Sequence, residues 1–345
     1  MKIIVDAMGG DFAPLAPVQG ALAAHEARGT EIVLVGQPEA IFGALRESGR
    51  TELPAGITIA PASEVVEIED DPARAFRAKP DSSLTVGLQM LRAGDADGFV
   101  GAGSTGALLA GATLLVKRIR GLRRAALAPV IPTSSGHLVL IDCGANKECT
   151  VEYLLQFAYL GSYYAAKVLG LDAPRVGLLN IGAEESKGDA LRQETHRMLT
   201  EAKARGDLNF VGNMEPKEAL LGACDVLVAD GFSGNVMLKS IEGTGKLFAG
   251  RLKDTLMRSA GTKLAALALK RPLASLKKAF DPNEVGGTAL LGISRPVIKA
   301  HGSSNARAFE NAIRQAEEVA RSGIIGDIER DIDKMRLDHP QAAAE

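Results

Sequence analysis

The sequence predicts an α/β protein: a mostly parallel sheet covered by helices on both faces. Three observations carry that expectation. Short β-branched runs alternate with longer helical patterns along nearly the whole chain, as parallel strands with crossover helices require. The strand-like runs are followed by turns rich in Gly, Ser, Asp and Asn, the residues that cap helices and make tight turns. The chain has 345 residues, 46% hydrophobic and 24% charged, with a formal net charge of −2. That is enough for a full core and is an ordinary globular composition.

In chain order the pattern reads as strand 2–5, helix 14–27, strand 31–35, helix 38–47 and strand 57–60. Helix 82–92, strand 98–100 and helix 105–116 follow, then strands 127–131 and 137–141 and helix 152–168. Next come strand 175–179, helix 189–204, strand 209–211, helix 216–221 and strand 226–229. Strand 297–299 and helix 305–321 close the body. No internal repeat or low-complexity linker interrupts it. We therefore expect one catalytic α/β domain over 1–338 and a flexible tail at 339–345.

With 40 Lys and Arg against 42 Asp and Glu, no global positive charge exists to bind nucleic acid through counterion release. Cys143, Cys149 and Cys224 are odd in number and form no CxxC pair, which argues for a reducing compartment and against a disulfide framework or zinc site. An Asp interrupts the short apolar run of MKIIVDAMGGD, so no signal peptide is expected. The longest apolar stretch, 107–116, falls short of the ~20 residues that cross a bilayer.

One segment departs from the pattern. Residues 251–280 hold eight basic side chains and one acid, net +7, leaving −9 on the rest. Leu256, Leu264 and Leu267 alternate with Lys263, Lys270 and Arg271 at helical spacing. Pro272 suggests two helices rather than one. Such a segment is either a solvated helix pair packed on the body or on a partner subunit, or an interfacial amphipathic helix on anionic lipid.

The candidate chemistry lies at the turns, because ligands in open α/β sheets bind beyond the carboxyl ends of strands. These turns are DAMGGD (6–11), GAGSTG (101–106), DCGAN (142–146), NIGAEESKGD (180–189), DGFSGN (230–235) and HGSSN (301–305). Gly admits close backbone approach, and a helix N-terminus favours an anion; capping and turn geometry alone also predict each one. GxxxxGK[ST], G-x-S-x-G and HExxH are missing, which argues against a Walker loop, an α/β-hydrolase triad and a zincin site. Gly101-x-Gly103-x-x-Gly106 has dinucleotide spacing but follows a late strand. Cys143 reads as a buried filler rather than a nucleophile. His301 could donate a proton, hold an anion or be structural.

Taken together, DAMGGD, GAGSTGALL (101–109), RRAALAPVIPT (123–133), DCGAN, RVGLLNIGAEESKG (175–188), FVGNMEP (210–216), DVLVADGFSGNVMLKSIEG (225–243) and VIKAHGSSNARAF (297–309) form an ordered set over some nine-tenths of the chain. The set resembles the acyl-carrier-protein:phosphate acyltransferases of bacterial phospholipid synthesis. Departures are Ser104, where that family has an amide, Cys143, where it has an aliphatic residue, and Lys147-Glu148, where it has Val-Asp.

The resemblance implies an isocitrate/isopropylmalate-dehydrogenase-like fold, related to phosphotransacetylase, in a homodimer. It implies conversion of long-chain acyl-carrier protein and inorganic phosphate to acyl phosphate and free carrier protein, without cofactor or metal. It further implies a cytoplasmic protein held peripherally on the inner membrane face, whose product feeds a membrane glycerol-3-phosphate acyltransferase. On that reading Lys187, Asn235, Lys239 and His301 are catalytic candidates. Asp6, Gly9, Gly10, Ser104, Thr105, Asn146, Asp230, Ser233, Ser303 and Ser304 are candidates for binding substrate. Leu256, Lys263, Leu264, Leu267, Lys270 and Arg271 are candidates for docking to the membrane. The rivals are a short-chain acyl-CoA phosphotransacylase, an NAD- and metal-dependent decarboxylating dehydrogenase, and a non-catalytic membrane-docked scaffold.

Overall fold

A computed structural model describes residues 1–270, 272, 284 and 286–337. Its strands are Lys2–Asp6 (β1), Glu31–Gly36 (β2), Ile57–Pro61 (β3), Gly98–Gly101 (β4), Ala126–Ala128 (β5) and Val130–Thr133 (β6), followed by Gly136–Ile141 (β7), Arg175–Leu179 (β8), Asn209–Met214 (β9), Val226–Val228 (β10), Gly287–Leu291 (β11) and Val297–Ala300 (β12). Among the described residues they form two sheets, ordered β3-β2-β1-β4-β12-β11-β5 and β6-β7-β10-β8-β9. Most neighbours are parallel; β11 runs antiparallel to β12 and β5, and β6 pairs antiparallel with β7. The expectation of a mostly parallel α/β fold holds, with the sheet split in two. The chain passes from one sheet to the other at Pro129, which has no N–H to give to a ladder.

Leu15–Arg28 (α1), Pro38–Glu47 (α2), Ala75–Ala78 (α3), Ser83–Ala93 (α4) and Thr105–Gly111 (α5) are the helices of the first half. The helix expected over 105–116 widens into a π-helical stretch, Ala112–Val116. Val151–Lys167 (α6), Ala190–Ala204 (α7), Pro216–Leu220 (α8), Gly231–Leu256 (α9) and Ala260–Ala268 (α10) follow. Ala306–Ser322 (α11) and Ile324–Arg330 (α12) complete the helices, and Ile332–Met335 adds a 3₁₀ turn.

Period-two burial is lost in the central strands: Ile3, Ile4 and Val5 of β1 and Leu138 to Ile141 of β7 are all buried, as strands covered on both faces require. One hydrophobic cluster contains members of both sheets, from Ile3 and Val100 to Val226, joined by Phe157, Tyr164 and Phe309. Each such side chain contributes roughly 1.5–3 kcal/mol on burial. At Gly20 of α1 an added Cβ would lie 2.4 Å from the Phe309 Cβ of α11, so these helices pack at a separation only glycine permits.

The basic segment differs from its expectation. Helix α9 begins at the DGFSGN turn and runs unbroken into it, and the break falls at 257–259. The residues on either side of Pro272, where the break was expected, lie outside the described residues, as do Arg271 and the expected tail, 339–345.

Candidate active site

Adjacent strands β1, β4 and β12 end together, and their turns interlock. A Cβ on Gly9 would meet the Gly103 nitrogen at 2.7 Å, and one on Gly10 would meet the Gly302 carbonyl at 3.1 Å. Gly10 has φ +104°, a left-handed conformation that favours glycine. The Asp11 N–H donates to the Gly302 carbonyl at 2.8 Å. Asp6 is buried and accepts from the Met8 N–H at 3.0 Å. Burial raises its pKa, opposed by the Ser83 hydroxyl, the Met8 and Gly9 N–H groups and the Lys299 charge. Ser104 caps α5, accepting from the Ala107 N–H at 3.4 Å, while Thr105 is exposed.

His301 is fixed by its own turn. The Ser303 N–H donates to Nδ1 at 3.2 Å, and the Ser303 hydroxyl lies 2.8 Å from the same nitrogen. An accepting Nδ1 leaves the ring proton of the neutral tautomer on Nε2. Burial lowers the His301 pKa, and Lys239 and Lys299 lower it further, so the ring is neutral at pH 7 with one N–H to offer. Ser304 is buried, and its N–H closes the turn on the His301 carbonyl at 3.0 Å.

The second sheet presents the ends of β7, β10 and β8. Asp142 is fully buried and organises the DCGAN turn. Its carboxylate accepts from the Leu127 N–H at 2.9 Å, the Ala145 N–H at 3.2 Å, the Asn146 N–H at 2.6 Å and Asn146 Nδ2 at 2.9 Å. Burial nevertheless raises its pKa. Leu127 belongs to β5 of the first sheet, so Asp142 ties the two sheets together at the site. Asn146 Nδ2 also donates to the Ala125 carbonyl at 2.8 Å, and the Asn146 carbonyl accepts from the Gly231 N–H at 2.7 Å.

Helix α9 is seated directly on this turn. A Cβ on Gly234 would lie 2.0 Å from the Asp142 carbonyl oxygen. Asp230 is its N-cap, accepting from the Ser233 N–H at 2.9 Å and the Ser233 hydroxyl at 2.8 Å. Arg192 of α7 donates to Asp230, to Asp189 at 2.8 Å and to the Ser233 hydroxyl at 3.3 Å. On the next turns of α9, Asn235 and Lys239 are exposed and line an open concavity with Val236 and Ser240. Lys239 Nζ pairs with Glu242 at 2.8 Å. Its charge adds to the lowering of the His301 pKa and opposes the rise at Cys143. The Lys239 charge thus acts on His301, linking the α9 side of the site electrostatically to the turn after β12.

The structure separates the sequence-predicted residues by role. Asp6, Gly9, Gly10, Ser104, Thr105, His301, Ser303 and Ser304 converge at the first sheet; Asn146, Asp230, Ser233, Asn235 and Lys239 converge at the second. Asn146 commits its amide N–H groups, and Asp230 and Ser233 their side chains, to holding the turns. Lys187 stands on the turn after β8, where its ion-pair partner is Glu184 at 3.9 Å. That turn is tied back by Asn180, whose Nδ2 donates to the Lys187 carbonyl at 3.1 Å. Burial pushes the Cys143 thiol up to about 12, so it is no thiolate at neutral pH.

Three residues escaped the sequence reading: Asp142, Arg192 and Lys299. Asp142 could have been found as the leading carboxylate of its turn, and Arg192 as the Arg three residues after the cap Asp189. Lys299 carried no signal, because a Lys in a four-residue strand reads as an outward side chain. Among the described residues, no group of three or more His, Cys, Asp or Glu side chains is placed to hold a metal ion.

Fold and turns together define an α/β protein whose Gly-rich turns gather at the carboxyl ends of adjacent strands. A family profile described as "Fatty acid synthesis protein" matches residues 1–326, and the chain belongs to that family. It is 43% identical over 333 residues to a "Phosphate acyltransferase" of Thermoanaerobacterium thermosaccharolyticum, covering 96% of this chain and 97% of that one. It is 46% identical over 339 residues to a "Phosphate acyltransferase" of Brevibacillus brevis, covering 98% and 99%. With relatives so named along nearly its whole length, the chain is an acyltransferase. Its fold is similar to that of a phosphotransacetylase from Streptococcus pyogenes, with a TM-score of 0.62 at 20% identity over 92% of this chain and 94% of that one. A likeness to a 4-hydroxythreonine-4-phosphate dehydrogenase from Salmonella typhimurium has a TM-score of 0.52 at 12% identity, covering 92% and 99%.

Proposed function

We propose that the enzyme transfers a long-chain acyl group from acyl-carrier protein to inorganic phosphate, giving acyl phosphate for phospholipid synthesis. The observation that carries this reading is the pairing of two features: interlocked Gly-rich turns at β1, β4 and β12, and the Lys239 side chain on α9, whose charge acts on His301 in the last of those turns. Backbone N–H groups and a nearby cation suit a phosphate dianion. Names of the relatives support phosphate as acceptor.

The chemistry then needs little covalent help. A phosphate oxygen bonds to the thioester carbonyl carbon, the C–S bond breaks, and the pantetheine sulfur leaves as a thiolate that takes up a proton. Ordinary thiols have a pKa of about 8.5, so the leaving group is tolerable. The protein's work is to bring two anionic reactants together and to hold the tetrahedral oxyanion. The Nε2–H of His301 and the Lys239 ammonium are the candidates for the oxyanion and for charge neutralisation. Asn235, exposed one turn before Lys239, and Lys187 are candidates for the carrier-protein thioester arm. Asp6 and Asp230 orient backbone donors rather than touch phosphate.

Helices α9 and α10 support a peripheral membrane role. Leu264 and Leu267 are 72% and 70% exposed one turn apart on α10, beside exposed Lys263 and Lys270, while Leu256 is half-buried. An apolar stripe flanked by cations suits an anionic lipid surface. None of the helices among the described residues is long and apolar enough to cross a membrane. We further propose a homodimer on the inner membrane face, its product handed to a membrane glycerol-3-phosphate acyltransferase.

Donor discrimination tests the reading. The purified protein should release free thiol from palmitoyl-carrier protein only when phosphate is present. Faster phosphate-dependent release from acetyl-CoA would instead favour the soluble phosphotransacylase reading, for which the fold likeness speaks.

A further inference from the structure

Beneath the interlocked turns lies a buried ammonium. Lys299, in β12, is only 8% exposed. Its Nζ donates to the Ala102 carbonyl at 3.2 Å and to the Ala300 carbonyl. The first belongs to the turn after β4 and the second to the end of β12. Those turns in turn grip the DAMGGD turn, through Gly9 against Gly103 and through the Asp11 N–H on the Gly302 carbonyl. One side chain thus links the backbones of two turns that both pack on the third.

Burying an ammonium is costly, and an apolar side chain would hold a strand with less penalty. The bonds it makes here are to neutral carbonyls, and Asp6 and Asp11 act on it as neighbouring charges. Burial pulls the Lys299 pKa down to about 8, with Asp6 and Asp11 opposing, so the group stays mainly charged at pH 7. An ammonium has three N–H donors, and the two carbonyls engage two of them. A charge retained at this depth, under turns whose close approaches are made by Gly9, Gly10, Gly103 and Gly302, suits an anion seated above it.

We propose that Lys299 is a positioning residue for phosphate: it locks the 101–103 and 300–302 backbones together and sets a fixed positive charge beneath the turns that hold the dianion. The proposal rests on the phosphate-acyltransfer reading above, and it assigns phosphate to the first-sheet half of the site, leaving the thioester to the α9 half.

The test uses Lys299→Met, which removes charge and hydrogen bonds, and Lys299→Gln, which keeps an N–H donor for the Ala102 carbonyl. Thermal unfolding identifies the folded variants, and their KM values for phosphate and for palmitoyl-carrier protein are then measured separately. Loss of the charge should raise the phosphate KM by about tenfold or more, the size of one charge-assisted hydrogen bond, while the KM for the acyl donor stays near wild type. A merely structural Lys299 would lower the folded fraction and leave both KM values unchanged in what remains folded; that result overturns the proposal, as does an equal rise in both. Failure of both variants to fold would assign Lys299 to the scaffold and also overturn it. A wild-type enzyme with no phosphate dependence would instead overturn the reading beneath it, and would be seen before any variant is made.

Discussion

Replacing Asp142 by Asn tests the join between the two sheets. The carboxylate accepts four hydrogen bonds, two at each oxygen: Leu127 and Ala145 N–H at Oδ1, and the Asn146 N–H and Nδ2 at Oδ2. An amide keeps one acceptor oxygen. If that oxygen stays with Asn146, the new NH₂ faces two N–H groups, and both lose their partner. Each buried donor left unsatisfied costs about 1–3 kcal/mol. Removing a buried carboxylate returns part of this, because burial disfavours its charged form. The expected net loss is about 2–4 kcal/mol. Urea unfolding with an unchanged slope measures it directly. Turnover should fall as well, since the Asn146 carbonyl that anchors the Gly231 N–H is set by the same carboxylate. A midpoint displaced by less than about 0.5 kcal/mol, within the range of ordinary surface changes, would refute the role of Asp142 as the clasp.

Two further outcomes follow from the same geometry. Cys143→Ala should keep most activity, because a thiol pushed up to about 12 is no nucleophile at pH 7; mass spectrometry that finds an acyl group on Cys143, with an inactive alanine variant, would show the opposite. Leu264→Glu combined with Leu267→Glu should release the protein from anionic vesicles and leave soluble turnover intact, since each exposed leucine would lose about 1.5–3 kcal/mol of burial in lipid. Sedimentation with vesicles, beside size-exclusion chromatography without them, separates this from a dimer interface, where the double variant would change oligomeric state instead.

Much of the architecture was legible because β1, β2 and β8 are short continuous apolar runs, and α2 and α11 carry a helical period that starts at Pro38 and at the cap Asn305. The reading failed where tertiary contacts override local preference. Helix α9 contains Gly231, Gly234, Gly243, Gly245 and Gly250, and each Gly weakens an isolated helix by about 1 kcal/mol. Gly231 and Gly234 are nonetheless required, because a Cβ at either would run into the 142–146 turn. Strand β11, GTALL, was missed because it is short, shows no alternation and lies between Gly286 and Gly292. The turns were found as a set, since six of them share one composition. Which side chains hold the turn and which face the ligand was not legible: Asp230 and Asn146 look alike in sequence to any ligand-binding Asp or Asn, and only their partners separate them.

The central claim is that phosphate itself attacks the acyl donor. The direct measurement incubates the protein with palmitoyl-carrier protein and isotopically labelled inorganic phosphate, then follows label in the organic-soluble product and free thiol on the carrier. The account predicts labelled acyl phosphate formed one for one with free carrier protein, with no thiol released when phosphate is omitted. Thiol release without phosphate, or release in phosphate with no label in an acyl product, would contradict it.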